Sequence, residues 1–345
     1  MCGAGMKIIG GMFGMDLSEA CKEQTPSFLT GRTLFLVNAR SGIRLLVLLL
    51  RPRQVWLPSY LCKTMISAID TTCSVIRFYP VNSALTVSSL EWLNETKKND
   101  LVVFIDYFGF PSSPECMLAA KSQGCLVLED ACQALLSEQV GAYSDFALYS
   151  PRKFLGVPDG GVLKVNCDLD LSEVSLMVPP ARWWLDVLRC TILRTEFDRH
   201  GGDRSWFHLY RKSDSEAPVG SFRMSELSKM LLETAFDYCN ISDVRRRNYS
   251  YLLGTLEKVA LMPQLPADVV PLGFPIRLKA RDIVRQHLFE SEIYPPVHWD
   301  IKGIVPERFS ESHQLAREIM TIPCDQRYDL EDMRRVAEAV ANAMA

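Results

Sequence analysis

Residues 129–163 read EDACQALLSEQVGAYSDFALYSPRKFLGVPDGGVL and follow the short apolar run Cys125-Leu126-Val127-Leu128. That run reads as a buried strand, so Asp130 and Gln133 stand immediately after it, at the carboxyl edge where open α/β sheets bind ligands. Lys153 comes 23 residues after Asp130, in a stretch bounded by Ser150-Pro151 and by Asp159-Gly160-Gly161. A lysine so placed, with a strand-end acid nearby in the fold, suits a Schiff-base lysine opposed by an acid that protonates a pyridine nitrogen.

The flanking sequence fits the same plan. Residues 101–106 are as apolar as 125–128, the pattern of strands covered on both faces of a mainly parallel sheet. Residues 114–123 read as the helix between them. Residues 53–57 and 73–78 read as further strands around a helix over 61–69, and residue 90 opens another helix. Ser41-Gly42 reads as the start of a helix over 43–50, with the Ser41 hydroxyl as its cap. Residues 146–149 and 161–165 read as short strands flanking the lysine loop. This alternation predicts an α/β fold. After about residue 170 the texture changes, with a Trp-rich helical stretch over 174–194 and a polar, broken segment over 200–218 that reads as an excursion or mobile loop. One or two helices over 224–256, a strand near 273–278 and a final helix over 330–344 complete a smaller α+β domain. The expected division is a large domain over residues 1–240 and a small one over 241–345.

Composition narrows the function classes. The chain has 345 residues, is 48% hydrophobic and 23% charged, and carries a net charge of −3. Such a balance argues against a general nucleic-acid binder. Eleven cysteines are scattered with no Cys-x-x-Cys pair, as expected of thiols in a reducing cytoplasm. The opening stretch lacks a long apolar core, and the run over 43–50 is too short to cross a bilayer, so a soluble protein without membrane insertion is expected. The five histidines form no i,i+4 pair and no His-Glu-x-x-His, leaving no recognisable metal site.

At this point the chain resembles the DegT/StrS group of pyridoxal-phosphate sugar aminotransferases, members of the fold type I aminotransferases. The resemblance rests on Glu129-Asp130-Ala131-Cys132-Gln133, Gly141 through Asp145, Ser150, Lys153 and Gly160-Gly161. Upstream, Ser41-Gly42 resembles the phosphate-binding Gly-Thr turn, Leu57-Pro58-Ser59-Tyr60 the strand-end Pro segment, and Asp106-Tyr107-Phe108-Gly109 the family's His-x-Tyr-Gly. Downstream, Phe222-Arg223-Met224-Ser225 is similar to Tyr-Arg-Met-Ser, while Pro296-Val297-His298 and Ile322-Pro323-Cys324-Asp325 are similar to C-terminal landmarks.

The resemblance implies a seven-stranded, mainly parallel sheet and pyridoxal 5'-phosphate as cofactor. It implies that Lys153 carries the cofactor and moves the proton, and that Asp130 pairs with the pyridinium nitrogen. Gln133, one helical turn on, would bond the ring's 3'-oxygen, and Ser41, Gly42 and Ser150 would hold the phosphate. Two departures stand out. The position that commonly carries a stacking aromatic is Cys62, with Tyr60 the nearest ring, so either could cover the cofactor. The asparagine that reaches the partner subunit's phosphate is replaced by Ser221, and Arg223 beside it is a candidate for an interface or anion contact. His298 is a candidate for the acceptor side. The implied reaction moves an amino group, from glutamate, to a keto group of a nucleotide-linked sugar or related small acceptor, in a cytoplasmic homodimer with shared active sites. The alternative is a diverged, non-catalytic ligand-binding or regulatory relative; the presence of Lys153, Asp130 and Gln133 together argues against it.

Overall fold

The computed structural model of the chain describes residues 6–15, 25–69 and 73–344; part of the opening stretch discussed above therefore lies outside the described residues. In chain order the strands are β1 (Ile9–Gly10), β2 (Thr33–Leu36), β3 (Gln54–Pro58), β4 (Val75–Tyr79), β5 (Leu101–Ile105), β6 (Leu126–Asp130), β7 (Phe146–Tyr149), β8 (Gly161–Val165), β9 (Phe274–Arg277), β10 (Ile293–Tyr294) and β11 (Ile319–Ile322). The helices are α1 (Ala39–Leu50), α2 (Lys63–Ala68), α3 (Pro114–Ser122), α4 (Ala181–His200), α5 (Ser205–Ser215), α6 (Glu226–Thr234), α7 (Tyr238–Leu256), α8 (Arg281–Glu290), α9 (Ser310–Glu318) and α10 (Leu330–Met344).

A seven-stranded sheet in the order β2-β8-β7-β6-β5-β3-β4 forms the large domain. Strand β8 runs antiparallel to its neighbours β2 and β7, and the remaining pairs are parallel. Every residue of β5 and β7 is buried, which is why these strands carry no polar alternation. Helix α3 starts where Ser113 accepts from the Cys116 N–H and Pro114 occupies the first turn, where a missing N–H costs nothing. The small domain packs α7, α8 and α10 on the antiparallel pair β9 and β11. Ile9 of β1 joins that small-domain core, because β1 pairs in parallel with β10.

Three readings are corrected. Residues 200–218 are not a loop: they contain α5, whose Trp206 is buried and which is tied to α4 by the Trp183 indole N–H donating to the Ser213 carbonyl at 2.8 Å. The segment after residue 90 is a 3-10 turn over Glu91–Glu95. Helix α1 begins four residues earlier than expected, because Asn38, not Ser41, caps it: the Asn38 side chain accepts from the Ser41 N–H at 2.9 Å. Helix α7 runs across residue 241, with Ile241 in the core beneath the lysine loop and Tyr249, Leu252 and Leu256 in the small-domain core.

The start of α1 is held against β8 by a contact that tolerates no side chain. The Gly160 N–H donates to the Val37 carbonyl at 2.9 Å, and a Cβ at Gly161 would stand 2.3 Å from the Asn38 carbonyl carbon. Gly161→Ala must therefore push the helix start off the strand. The expected cost is about 1–3 kcal/mol, read as a lowered urea midpoint with the slope unchanged.

Candidate active site

The carboxyl ends of β5, β6 and β7 open into one cavity of about 830 Å³. Its floor carries Cys62, Asp130, Gln133, Ser150 and Lys153. Helices α4 and α5 supply one wall, with Trp183, Trp206 and Tyr210, and the small domain supplies another, with His298 and Trp299. The N-terminal segment closes the side between them through Gly10 to Phe13, held by the Arg327 guanidinium donating to the Met12 carbonyl at 2.9 Å and the Gly11 carbonyl at 3.2 Å.

Strand alternation decides which carboxylate faces the cavity. Asp130, the last residue of β6, lines it, and one of its oxygens accepts from the Cys132 N–H at 3.0 Å. Glu129 is instead taken up by the Gly141 N–H at 2.8 Å and the Ser144 hydroxyl at 3.0 Å. Asp106 is fully buried; burial first, and then the neighbouring Glu129 charge, push its carboxyl well above the usual range. Gln133 lies in a turn rather than on a helix. Its carbonyl accepts from the Phe108 N–H at 2.9 Å, which leaves the amide Nε2 buried without a partner at the cavity. A buried donor in that state costs about 1–3 kcal/mol, so the site is built for an acceptor atom that the protein itself does not supply.

Lys153 closes the 3-10 turn Pro151–Lys153, its N–H donating to the Ser150 carbonyl at 3.1 Å. Its side chain extends into the cavity toward His298 and Cys132, both of which feel its charge. His298 donates to or accepts from the Thr321 hydroxyl at 2.9 Å through Nδ1. Enclosure, then the Lys153 charge, push the imidazole down to about 3.

Of the residues expected to bind a cofactor, Lys153, Asp130, Gln133, Ser150 and Cys62 share this cavity, and the others do not. Ser41 is fully buried within the first turn of α1, its hydroxyl accepting from the Gly220 N–H at 3.2 Å. Gly42 backs onto β7, where a Cβ would stand 2.5 Å from Leu148 Cδ1. The cavity is met instead by Asn38, Ala39 and Arg40, because the helix starts at the Asn38 cap. Tyr60 is fully buried behind Trp299, ring centroids 5.5 Å apart, so Trp299 and Cys62 line the cavity in its place. Ser221 lies outside the cavity lining, on a segment whose Ser221 carbonyl accepts from Met177 and whose Arg223 pairs with Glu226. Arg40, Arg152, Tyr210 and Trp299 were not anticipated. Arg40 was detectable in principle, since an asparagine three residues before Ser41 is itself a capping signal.

Residues 80–341 match the DegT/DnrJ/EryC1/StrS aminotransferase family. The chain belongs to that family. It is thereby a pyridoxal-phosphate-dependent aminotransferase of fold type I. Among curated relatives it is 24% identical over 287 residues to UDP-N-acetyl-3-dehydro-α-D-glucosamine 3-aminotransferase of Acidithiobacillus ferrooxidans, covering 78% of this chain and 69% of that one. It is 25% identical over 265 residues to dTDP-3-amino-3,6-dideoxy-α-D-galactopyranose transaminase of Aneurinibacillus thermoaerophilus, covering 71% and 66%. The match thus spans about two thirds of each relative's length. The pyridoxamine-phosphate form of the putative sugar aminotransferase Spr1654 from Streptococcus pneumoniae superposes with a TM-score of 0.67 at 14% identity, covering 99% of this chain and 92% of that one.

The depressed His298 imidazole has a sign that can be tested. Its folded value lies below the unfolded value near 6.5, so the unfolded chain binds more protons across roughly pH 3–6.5 and stability falls as pH drops through that window. Replacing it by glutamine removes one group's share of that slope, at most ~1.4 kcal/mol per pH unit. Urea denaturation of the cofactor-free His298→Gln variant should show a flatter acid limb than the parent and the same behaviour above pH 7.

Proposed function

We propose that this protein transfers an amino group from glutamate to the keto carbon of a nucleotide-linked sugar. The observation that carries the reading is the shared cavity of Lys153, Asp130 and Gln133, with the Gln133 Nε2 buried and unpartnered there. The substrate class is drawn from the two curated relatives, both named for nucleotide-linked sugars.

When bound, pyridoxal phosphate supplies an electron-accepting ring that takes up the electron pair released as the donor's α-carbon loses its proton. The chain's own groups hold and orient. Asp130 offers a carboxylate oxygen to the ring N–H and keeps that proton in place. Gln133 Nε2 donates to the ring oxygen, relieving its own buried, unbonded state. The Ser150 hydroxyl, which accepts and donates nothing among the described residues, turns to the phosphate. Lys153 Nζ would hold the cofactor until the donor's amino group takes its place, and the freed amine would then take up the donor's α proton as base and return one as acid. His298, kept neutral by its enclosure and by Lys153, adds no second cation beside that amine. Trp183, Trp206 and Tyr210 close the apolar side and exclude water from the proton transfer.

The site is completed in a homodimer, with Ser221 and Arg223 presented to a second copy; they sit outside their own cavity, on a half-buried segment. The protein works in the cytoplasm, consistent with the buried thiols Cys125, Cys132, Cys190 and Cys324. No helix among the described residues is long and apolar enough to cross a membrane.

Incubation with pyridoxal phosphate followed by borohydride should fix the cofactor covalently to the peptide containing Lys153, and glutamate with a keto-sugar nucleotide should yield 2-oxoglutarate. Lys153→Ala should abolish the covalent fixation and lower turnover at least about a hundredfold. A folded parent that captures no cofactor under these conditions would transfer the weight to a non-catalytic, ligand-binding relative.

A further inference from the structure

One corner of the cavity holds more positive charge than the residues assigned so far use. Arg40, the second residue of α1, reaches across the helix start to α5, where its guanidinium donates to the Asp214 carbonyl at 3.3 Å. Arg152, one residue before Lys153, approaches the same residue, 3.7 Å from the Asp214 carboxylate. Both arginines line the cavity beside Ser150. Asp214 stands in the last turn of α5, where a negative charge opposes the helix dipole, and its carboxylate is half exposed. Its carboxylate is therefore a weak, replaceable partner for Arg152, and Arg40 is held only through the main-chain carbonyl. Ser213 beside Asp214 is buried, lines the same corner, and its hydroxyl has no partner. A buried hydroxyl without a partner, two guanidiniums and the start of α1 thus line one cavity, and Asp214 ties both guanidiniums to the end of α5.

We propose that Arg40 and Arg152 are the charge partners of the cofactor's phosphate in this chain, and that Asp214 occupies them until the phosphate displaces it. This rests on the cofactor reading above and deepens it, since it assigns the phosphate's charge to side chains of the same subunit. A guanidinium offers a planar fork to phosphate oxygens, so each arginine can make two charge-assisted bonds. Arg40 lies ahead of the family match, which begins at residue 80. Cofactor loading would then release the last turn of α5 from α1 and from the lysine loop, so the wall carrying Tyr210 responds to the phosphate.

Calorimetric titration of the full-length, cofactor-free protein with pyridoxamine 5'-phosphate and, separately, with pyridoxamine tests this without any covalent step. Arg40→Gln and Arg152→Gln should each weaken the phosphorylated ligand about tenfold or more and leave pyridoxamine unchanged. Asp214→Asn should do the opposite and tighten the phosphorylated ligand several-fold, a gain that a purely structural role for Asp214 does not produce. Arg40→Lys, which keeps the charge, should lie between the parent and Arg40→Gln. Equal losses for both ligands, or a loss on Asp214→Asn, would overturn the proposal while leaving the cofactor reading intact. A folded parent that binds neither ligand would instead remove the cofactor reading, and this assignment with it.

Discussion

The active site depends on how closely the start of α1 approaches β8. Gly161 has no side chain to separate them, and the Gly160 N–H and Val37 carbonyl lock the approach. Because β7 lies next to β8 in the sheet, the same contact sets α1 beside the end of β7, from which Ser150 and the lysine turn emerge. The start of α1 and the turn that ends in Lys153 are thus held in register by backbone contact, which deforms less than any pair of side chains. Asn38 completes the arrangement from the side, bonding Ser41 within the helix and the Pro218 carbonyl outside it.

Charge is sorted across the sheet in the same way. Adjacent residues of β6 face opposite sides, so Glu129 is absorbed by the Gly141 and Ser144 donors while its neighbour Asp130 meets the cavity. Burial and the neighbouring Glu129 push the Asp106 carboxyl well above the usual range. On the far wall enclosure pushes the His298 imidazole down to about 3. On the reading proposed above, one carboxylate would face the cofactor's ring end and a pair of guanidiniums its phosphate, the polarity that an anionic pyridinium compound requires.

The large sheet was legible because its central strands are buried on both faces: β7 and β8 fall where their apolar runs place them, and β5 and β6 differ by a residue or two. The floor of the site was legible for the same reason, since Asp130 and Lys153 follow directly from strand ends. What escaped was set by packing across sequence. The segment 200–218 looks polar and broken, yet α5 forms there because Trp206 is buried and Ser213 receives the Trp183 indole. Ser41 is as good a cap residue as Asn38 by type, and local propensity does not say which will be extended and which helical. Tyr60 sits at a strand end like a stacking ring; Trp299, 239 positions later, covers it. Strand β2 escaped despite its apolar run Leu34-Phe35-Leu36; it is only partly buried, at the sheet's edge.

The wall formed by the N-terminal segment has a consequence for how the site comes into being. Ile9 is at home in a core made by residues 249–340, and the Gly10 N–H donates to the Tyr328 hydroxyl across a separation of 318 residues. Contacts of such length close the largest loops in the chain and form late, after local structure has removed most of the competing conformations. During synthesis, where N-terminal units assemble first, the sheet and its lysine turn can settle while β1 still lacks its partner strand. The cavity therefore gains this wall only when the last helices have been made, and until then Lys153 stands in a cleft open on that side.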